Sequence, residues 1–370
     1  MSLRSLTGYL VFSFALCFVI DSAGQVFQSS KVFVIHRGGN ISHWLSQSTV
    51  RGEKRSAYFT EKDVIAAADA GFDHIRIPID EEQMWDEAGN KETEAFKLLH
   101  NALGWMQKHG LKAIVDLHII RSHYFLDADP PLFTEVKEQK KFADLWRQLS
   151  EELGEYPVDM VAYELLNESV AHDDEDWNRV YKLAYDVVRE KEPDRVIFIG
   201  PNHFQNVDYF PSLKIPEGDP NIVLSFHFYI PHVITHYKAP WTNIKDYTGP
   251  VQYPGIPIDP QDTVGYDEHL RAILGRYTTE RIDRDYLERR IQPAIDKARE
   301  LKLQLYCGEF GCLPNVSTES RNQWYRDIIS ILEKYNIAWS AWDFKSSGFG
   351  VFNPDDLKLA IPEDILFMKM

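Results

Sequence analysis

The chain has 370 residues, of which 44% are hydrophobic and 13% aromatic, so it can bury a large core. Its formal net charge of −16 argues against nucleic acid and anionic membrane surfaces as partners, and it fits a protein that acts on a neutral substrate. Length alone suggests two or three domains, but barrels of alternating strands and helices form single domains that are longer than the usual domain length.

The first residues have the pattern of a secretory leader and not of a folded segment. Arg4 supplies a short positive region, Tyr9–Ile20 is an apolar run, and Ser22–Gly24 offers small residues for cleavage. The apolar run is too short to anchor the protein stably in a bilayer. We therefore predict a signal peptide at residues 1–24 and a mature chain over residues 25–370 that is secreted or periplasmic, with no membrane association after cleavage.

Short apolar runs alternate with amphipathic segments along the mature chain, which predicts strands with helices between most of them. The predicted strands are Val32–Ile35, His74–Ile77, Ala113–Leu117, Met160–Leu166, Val196–Ile199, Ile222–Phe226, Leu303–Tyr306 and Ile337–Ala341. A polar loop is predicted at Arg37–Asn40, and a long irregular stretch, Pro231–Thr279, follows the sixth strand. This order predicts a single α/β domain, a (β/α)8 TIM barrel.

Polar and aromatic residues collect at the carboxyl ends of the predicted strands. These residues are Arg76, His118, Asn167, Glu168, His227, Tyr229, Glu309 and Trp342. Each has a plain structural explanation on its own, such as an ion pair for Arg76 or core packing for Trp342. Because the carboxyl ends of barrel strands meet at one rim, their agreement predicts an active site at that rim.

Two of the rim residues are carboxylic acids, Glu168 after the fourth strand and Glu309 after the seventh. Cleavage of a glycosidic bond needs an acid for the leaving oxygen and a second group that faces the anomeric carbon. When the two carboxyl groups lie roughly 5–5.5 Å apart, the second one attacks directly and the anomeric configuration is retained. The pair therefore favours glycoside hydrolysis.

The segments RGGNISHWL, IRIPI, VDLH, LLNE, HFY, GEFG and WDF occur in this order between about Val32 and Trp342. In this order they resemble glycoside hydrolase family 5, a cellulase-type family of retaining barrel glycosidases. The resemblance implies that Glu168 is the acid/base and that Glu309 is the nucleophile.

The resemblance also implies how other rim residues serve the two acids. Arg76 and Tyr229 would hold the carboxylate of Glu309 ionised, by charge and by a hydrogen bond. Asn167 would bind the 2-hydroxyl of the reacting sugar, and Trp342 would form the floor of the −1 subsite. The cleft would be lined by two histidines that help to orient the acids, His118 and His227.

The leading hypothesis is a retaining endo-β-1,4-glucanase that acts on a β-glucan. A β-mannanase, a β-1,3-glucanase or a xyloglucan-active enzyme would use the same residues, and the insertion after the sixth strand leaves this choice open. A metal-dependent hydrolase barrel with ligands His227, His232 and His236 is a second class of function, and a carbohydrate-binding pseudoenzyme is a third. Because one loop supplies all three histidines and both glutamates are present, neither class is favoured, and we expect no cofactor or metal.

After removal of the leader, the remaining cysteines are Cys307 and Cys312, which flank Glu309. An exported protein permits a disulfide between them. Strand end and loop can equally hold them apart as two small buried side chains. The sequence leaves both arrangements open, and neither spacing nor surroundings indicate a zinc site.

Overall fold

The computed structural model describes residues 32–346 and 348–368. Within them, parallel strands form a closed barrel in which each strand pairs with the next along the chain and the last pairs with the first. The strands are Arg37–Asn40 (β1), His74–Asp80 (β2), Lys112–Ile119 (β3), Val161–Glu164 (β4), Ile197–Ile199 (β5), Ile222–Phe228 (β6), Gln304–Phe310 (β7) and Ala338–Ala341 (β8). The predicted (β/α)8 TIM barrel is confirmed, whereas the predicted leader at residues 1–24 lies outside the described residues.

Helices follow the strands and cover the outside of the barrel. They are Glu53–Tyr58 (α1), Glu61–Asp69 (α2), Glu81–Met84 (α3), Thr93–Lys108 (α4), Pro131–Thr134 (α5), Val136–Leu153 (α6), Asp174–Lys191 (α7), Asn202–Gln205 (α8), His232–Thr235 (α9), Glu268–Leu274 (α10), Arg284–Leu301 (α11), Thr318–Lys334 (α12) and Glu363–Leu366 (α13). Short 3₁₀ turns lie at Val207–Ser212, Pro260–Thr263 and Gly275–Thr278. The long helices each bury one apolar side against the sheet, as the helical spacing predicts. None of the helices in the described ranges is long and apolar enough to cross a membrane.

The first strand differs from the prediction. The apolar run at Val32–Ile35 was expected to be that strand and Arg37–Asn40 a loop, but the structure has β1 at Arg37–Asn40. Phe33 and Ile35 of this apolar run instead pack inside the barrel, near the amino ends of the strands. In β1, a Cβ at Gly38 would lie 2.5 Å from the carbonyl oxygen of His74 on β2. Only glycine permits this close approach of the two backbones. Gly38 therefore lets this segment pair with β2 as a strand, although it has no apolar periodicity.

The long stretch after β6 was predicted to be irregular, but it contains the helices α9 and α10. It is also fastened to the barrel, because the Leu313 amide donates to the carbonyl oxygen of Thr235 at 2.9 Å. The hydroxyl of Tyr253 donates to Asp327 on α12 at 2.7 Å. The stretch therefore forms a fixed wall beside the carboxyl ends of β6 and β7.

The two cysteines are unbridged and buried in the described structure. Cys307 lies within β7, and Cys312 follows the strand and contacts the carbonyl oxygen of Ile234 at 3.6 Å. Burial raises the pKa of the Cys312 thiol to about 12, so it remains protonated at neutral pH. Of the two arrangements that the sequence left open, the structure has the pair of small buried side chains.

Candidate active site

The predicted rim residues all meet at the carboxyl-terminal face of the barrel, where hydrogen bonds and ring contacts connect them into one cluster. Their polar members are buried except for Tyr229 and Glu168, which are partly buried, and Glu168 retains an exposed side-chain fraction of 14%. Because of this partial exposure, Glu168 is accessible from the cleft. The convergence expected from the strand ends is therefore what the structure shows.

Arg76 is the centre of the cluster. It is fully buried on β2, and its Nε donates to Glu164 at 2.6 Å while Nη1 donates to Glu309 at 2.8 Å. The guanidinium carries five N–H donors. Its remaining contacts, each within 3.0 Å, are with Asn40, Asp116 and Asn167. A buried cation with every nitrogen engaged holds its partners rigidly, because each partner would lose a charged hydrogen bond by moving.

Glu309 lies at the end of β7 and receives two donors. Oε1 accepts from Arg76, and Oε2 accepts from the hydroxyl of Tyr229 at 2.9 Å. Burial raises the pKa of the Tyr229 hydroxyl well above its usual range, and the charge of Glu309 raises it further. Tyr229 therefore stays protonated and remains a donor, which stabilises the ionised form of Glu309.

Glu168 has a different environment, although it lies in the same cleft. Its Oε1 is 2.8 Å from Nδ1 of His227, and the same nitrogen is 3.6 Å from Oε2 of Glu309. Burial lowers the pKa of His227 well below its usual range, with Arg76 as the next cause, so the imidazole is neutral. In contrast to Glu309, Glu168 makes no direct ion pair with a permanent cation in the described structure.

The two carboxyl groups affect each other's ionisation. Burial raises the pKa of both Glu168 and Glu309. The charge of Glu309 raises the pKa of Glu168 further. Arg76 opposes the rise for both acids, and the Tyr229 hydrogen bond opposes it for Glu309. Since two nearby carboxylates resist ionising together, the pair loses its first proton from Glu309 and keeps the second on Glu168.

His118 and Trp342 form the side of the cleft next to the acids. Their rings are nearly parallel, with an interplanar angle of 5° and centroids 5.6 Å apart. Nδ1 of His118 is 2.7 Å from Asp116, and the amide nitrogen of Gln47 is 3.0 Å from Nε2. Burial lowers the pKa of His118 to about 3, so a neutral ring supports the indole of Trp342.

The cluster also contains several residues to which the sequence gave no predicted role. They are Asn40, Gln47, Asp116, Glu164, Gln205 and Ser225. Glu164 carried a detectable signal, because it is the single acid in the apolar run of β4 and such an acid needs partners. Gln205 carried no such signal, since a glutamine outside any apolar pattern is usually an exposed residue.

The metal alternative relied on three histidines from one loop. Within the described ranges, the side chains with metal-ligand spacing are Glu168, His227 and Glu309, whose ligand atoms lie within 4.8 Å of one another. His232 and His236 are not members of this group. They pack against each other with ring centroids 5.0 Å apart, and burial lowers the pKa of His236 to about 3. The three histidines therefore do not converge on one site.

Comparisons with known proteins agree with this geometry. The family profile that matches residues 36–348 is Cellulase (glycosyl hydrolase family 5). Endoglucanase C of Acetivibrio thermocellus is 32% identical over 329 residues, which cover 86% of this chain and 93% of that protein. Cellodextrinase A of Ruminococcus flavefaciens is 28% identical over 310 residues, covering 82% of this chain and 84% of that protein.

Solved structures show the same fold. Thermotoga maritima Cel5A in complex with cellobiose superposes with a TM-score of 0.72 at 23% identity, covering 92% of this chain and 99% of that one. A cellulose synthase subunit Z from Clostridioides difficile has a TM-score of 0.71 at 24% identity, covering 90% and 98%. With the family match over most of the chain, these findings show that the protein is a glycoside hydrolase and belongs to glycoside hydrolase family 5.

Proposed function

We propose that this protein is a retaining endo-β-1,4-glucanase in which Glu309 is the nucleophile and Glu168 is the acid/base. The observation that carries the proposal is the short separation of the two acids, since an oxygen of Glu168 lies within 4.8 Å of an oxygen of Glu309. Inverting enzymes keep their carboxyl groups roughly 6.5–9.5 Å apart to leave room for a water molecule. The close approach of Glu168 and Glu309 supports direct attack rather than an arrangement with a water molecule between them.

In the first step, an oxygen of Glu309 forms a bond to the anomeric carbon while the glycosidic bond breaks. The electron pair of that bond leaves with the glycosidic oxygen, which takes the proton of Glu168. Arg76 and Tyr229 support this division of labour, because their hydrogen bonds at 2.8 and 2.9 Å favour the ionised form of Glu309. The product of the step is a glycosyl ester of Glu309 and a free aglycone.

In the second step, Glu168 acts as a base. It removes a proton from water, whose oxygen attacks the anomeric carbon from the face that the aglycone left, and Glu309 departs as a carboxylate. Two inversions at one carbon give net retention. His227, 2.8 Å from Glu168, keeps the carboxyl group in place for both proton transfers.

The sugar in the −1 subsite would contact Asn167 and Trp342. The side-chain oxygen of Asn167 accepts from Arg76 at 2.9 Å, which leaves its NH₂ group to donate to the 2-hydroxyl. Such a hydrogen bond strengthens as charge develops on the ring in the transition state. Trp342, 8% exposed and backed by His118, would support the apolar face of the sugar.

A β-1,4-glucan is the proposed substrate because the relatives described above carry the names endoglucanase and cellodextrinase. β-Mannanase, β-1,3-glucanase and xyloglucan-active alternatives would use the same two acids. A panel of carboxymethylcellulose, β-1,3-glucan, xyloglucan and β-mannan, with sizing of the products, tests the choice. Early release of mixed oligosaccharides from carboxymethylcellulose is expected, and preference for another polymer would contradict the substrate assignment.

The roles of the two acids can be tested with azide, which is a nucleophile that needs no base. With an activated aryl β-cellobioside, Glu168→Ala should form the glycosyl-enzyme almost normally but hydrolyse it slowly, and azide should restore turnover and give the β-glycosyl azide. Glu309→Ala should be inactive, and azide should rescue it only from the vacated face, giving the α-glycosyl azide. The opposite pairing of product and variant would mean that the roles are reversed.

We also propose that the protein is exported, on the strength of the leader pattern at residues 1–24. Expression of the full-length chain should give a mature protein in the medium or periplasm that begins near Gln25. Amino-terminal sequencing of that protein checks the cleavage position, and retention of Met1 would contradict it.

A further inference from the structure

The side chain of Gln205 bridges two buried parts of the cluster. Its Nε2 donates to Oε1 of Glu164 at 2.8 Å and contacts the hydroxyl oxygen of Ser225 at 3.0 Å. Its Oε1 accepts the backbone N–H of Glu168 at 3.0 Å. Gln205 is 1% exposed, and a flipped amide would place its oxygen against a carboxylate and its NH₂ against an N–H. The orientation of the amide is therefore determined by its partners.

Gln205 ends the short turn α8 (Asn202–Gln205), whose backbone is demanding because it departs from right-handed helical angles. The φ angles of His203, Phe204 and Gln205 are 55°, 64° and 51°, all in the left-handed region. Non-glycine residues in sparsely populated backbone regions are strained and persist only where their surroundings hold them. Here the Phe204 amide donates to the carbonyl oxygen of Ser169 at 3.1 Å, which fastens the turn to the segment that follows Glu168.

Close packing also holds the side chain of Gln205. A Cβ at Gly200 would lie 2.5 Å from Cγ of Gln205, so the glutamine passes directly over a glycine. Glu168 itself has a φ of 44°, and the hydrogen bond from its amide to Gln205 holds it in that conformation. The backbone conformation of Glu168 sets the direction in which its carboxyl group leaves the chain.

Glu164 links this arrangement to the other acid. One oxygen of Glu164 accepts from Gln205, and the other accepts from Arg76, which in turn donates to Glu309. The nucleophile is thus held through Arg76, whereas the main chain of the acid/base is held through Gln205. Loss of the Gln205 amide would therefore impair proton transfer by Glu168 more than nucleophilic attack by Glu309.

We propose that Gln205 is a positioning residue that places the carboxyl group of Glu168 for proton transfer, through the Glu168 main chain and with Glu164 as its own support. The proposal rests on the proposed role of Glu168 as acid/base. Misplacement of a reacting group by about 1 Å costs on the order of 10²-fold in rate. Loss of Gln205 should therefore slow those steps in which Glu168 donates or accepts a proton.

The test is Gln205→Met, an unbranched change that removes both hydrogen-bonding ends. kcat/KM, which reports glycosylation, is measured with dinitrophenyl β-cellobioside, whose leaving group needs little protonation, and with phenyl β-cellobioside, whose leaving group needs it. We expect a loss of about 10–100-fold on the phenyl substrate and less than about threefold on the dinitrophenyl substrate. Equal loss on both substrates, or loss on neither, would overturn the proposal.

Ser225→Ala is the matched control, because it removes the other donor to Oε1 of Glu164 at 2.8 Å and leaves intact the hydrogen bond that the Glu168 amide donates to Gln205. It should change both substrates equally. A loss restricted to the phenyl substrate in this control would assign the effect to Glu164 and refute a role for Gln205.

Gln205→Glu covers the case in which Gln205→Met does not fold. A protonated glutamic acid has the same shape, can donate to Glu164 and can still accept from the Glu168 amide. At the acid end of the profile this variant should have the ratio of phenyl to dinitrophenyl rates of the unmodified protein. A selective loss on the phenyl substrate there would overturn the proposal.

The same two substrates separate this inference from the function on which it rests. Glu168→Ala should show a larger selective loss on the phenyl substrate than any Gln205 variant. Absence of selectivity in Glu168→Ala would refute the acid/base assignment itself. Selectivity in Glu168→Ala without selectivity in Gln205→Met would refute only the role of Gln205.

Discussion

Replacement of Tyr229 by phenylalanine removes one hydrogen bond from the proposed nucleophile and little else. The hydroxyl donates to Oε2 of Glu309 at 2.9 Å, in a site where Glu309 is only 4% exposed. A hydrogen bond to a charged group contributes about 1.5–3 kcal/mol. One pKa unit corresponds to about 1.36 kcal/mol. Because the bond favours the carboxylate, its loss should raise the pKa of Glu309 by about one to two units.

The assay is the pH dependence of kcat/KM on an aryl β-cellobioside, which reports the ionisations of the free enzyme. Activity requires ionised Glu309 and protonated Glu168, so the profile should be bell-shaped, with Glu309 setting the acid limb and Glu168 the alkaline limb. In Tyr229→Phe the acid limb should move up by about one to two pH units while the alkaline limb stays in place.

Tyr306→Phe is the matched control on β7. Its hydroxyl donates to Ser340 at 2.7 Å and hydrogen-bonds to neither glutamate, so both limbs should stay where they are. An acid limb that stays in place or moves down in Tyr229→Phe would mean that Tyr229 does not stabilise ionised Glu309. Movement of the alkaline limb alone would mean that Tyr229 acts on the proton donor.

Three further predictions concern stereochemistry, pH-dependent stability and packing. NMR of the first product should show the β anomer, and the α anomer would rule out retention. Burial raises the pKa of Asp80 to about 6, so the folded state holds a proton that the unfolded state has lost, and stability should fall as pH rises from about 4 to 6. Urea unfolding should show that Asp80→Asn removes about 3 kcal/mol of this fall, and an unchanged slope would refute that cause. Gly38→Ala should destabilise the protein by about 1–3 kcal/mol, because its Cβ would lie 2.5 Å from a backbone oxygen. Gly39→Ala, with its nearest neighbour at 3.8 Å, should change the thermal midpoint much less, and equal effects would contradict the packing argument.

The barrel and the location of its site could be predicted from the sequence because both follow from local signals. Apolar runs mark β2 to β8, and the connectivity of a barrel brings the carboxyl ends of its strands to one rim. Glu168 and Glu309 could therefore be expected in one cleft although they are far apart in the chain. The structure confirms that they meet, and it adds the 4.8 Å limit on their separation.

Tertiary structure alone decided β1, the state of the cysteines and the support of the acids. β1 needs Gly38 because the backbone of His74 on β2 passes within contact distance of it, and hydrophobic periodicity in the sequence does not reveal such a contact. Cys307 and Cys312 remain apart because each is buried in its own packing environment.

The supports of the two acids show the same limit of sequence reasoning. Arg76 could be expected near Glu309, but its further contacts with residues of β1, β3 and β4 depend on how separate strands come together. Gln205 ends the short turn α8, which has no pattern in the sequence, and it reaches the amide of Glu168 only because three left-handed residues turn it into the barrel. Local periodicity determines which segments form strands and which residues end them. Contacts between distant segments determine which side chains hold the reacting groups in place, and those contacts exist only in the folded chain.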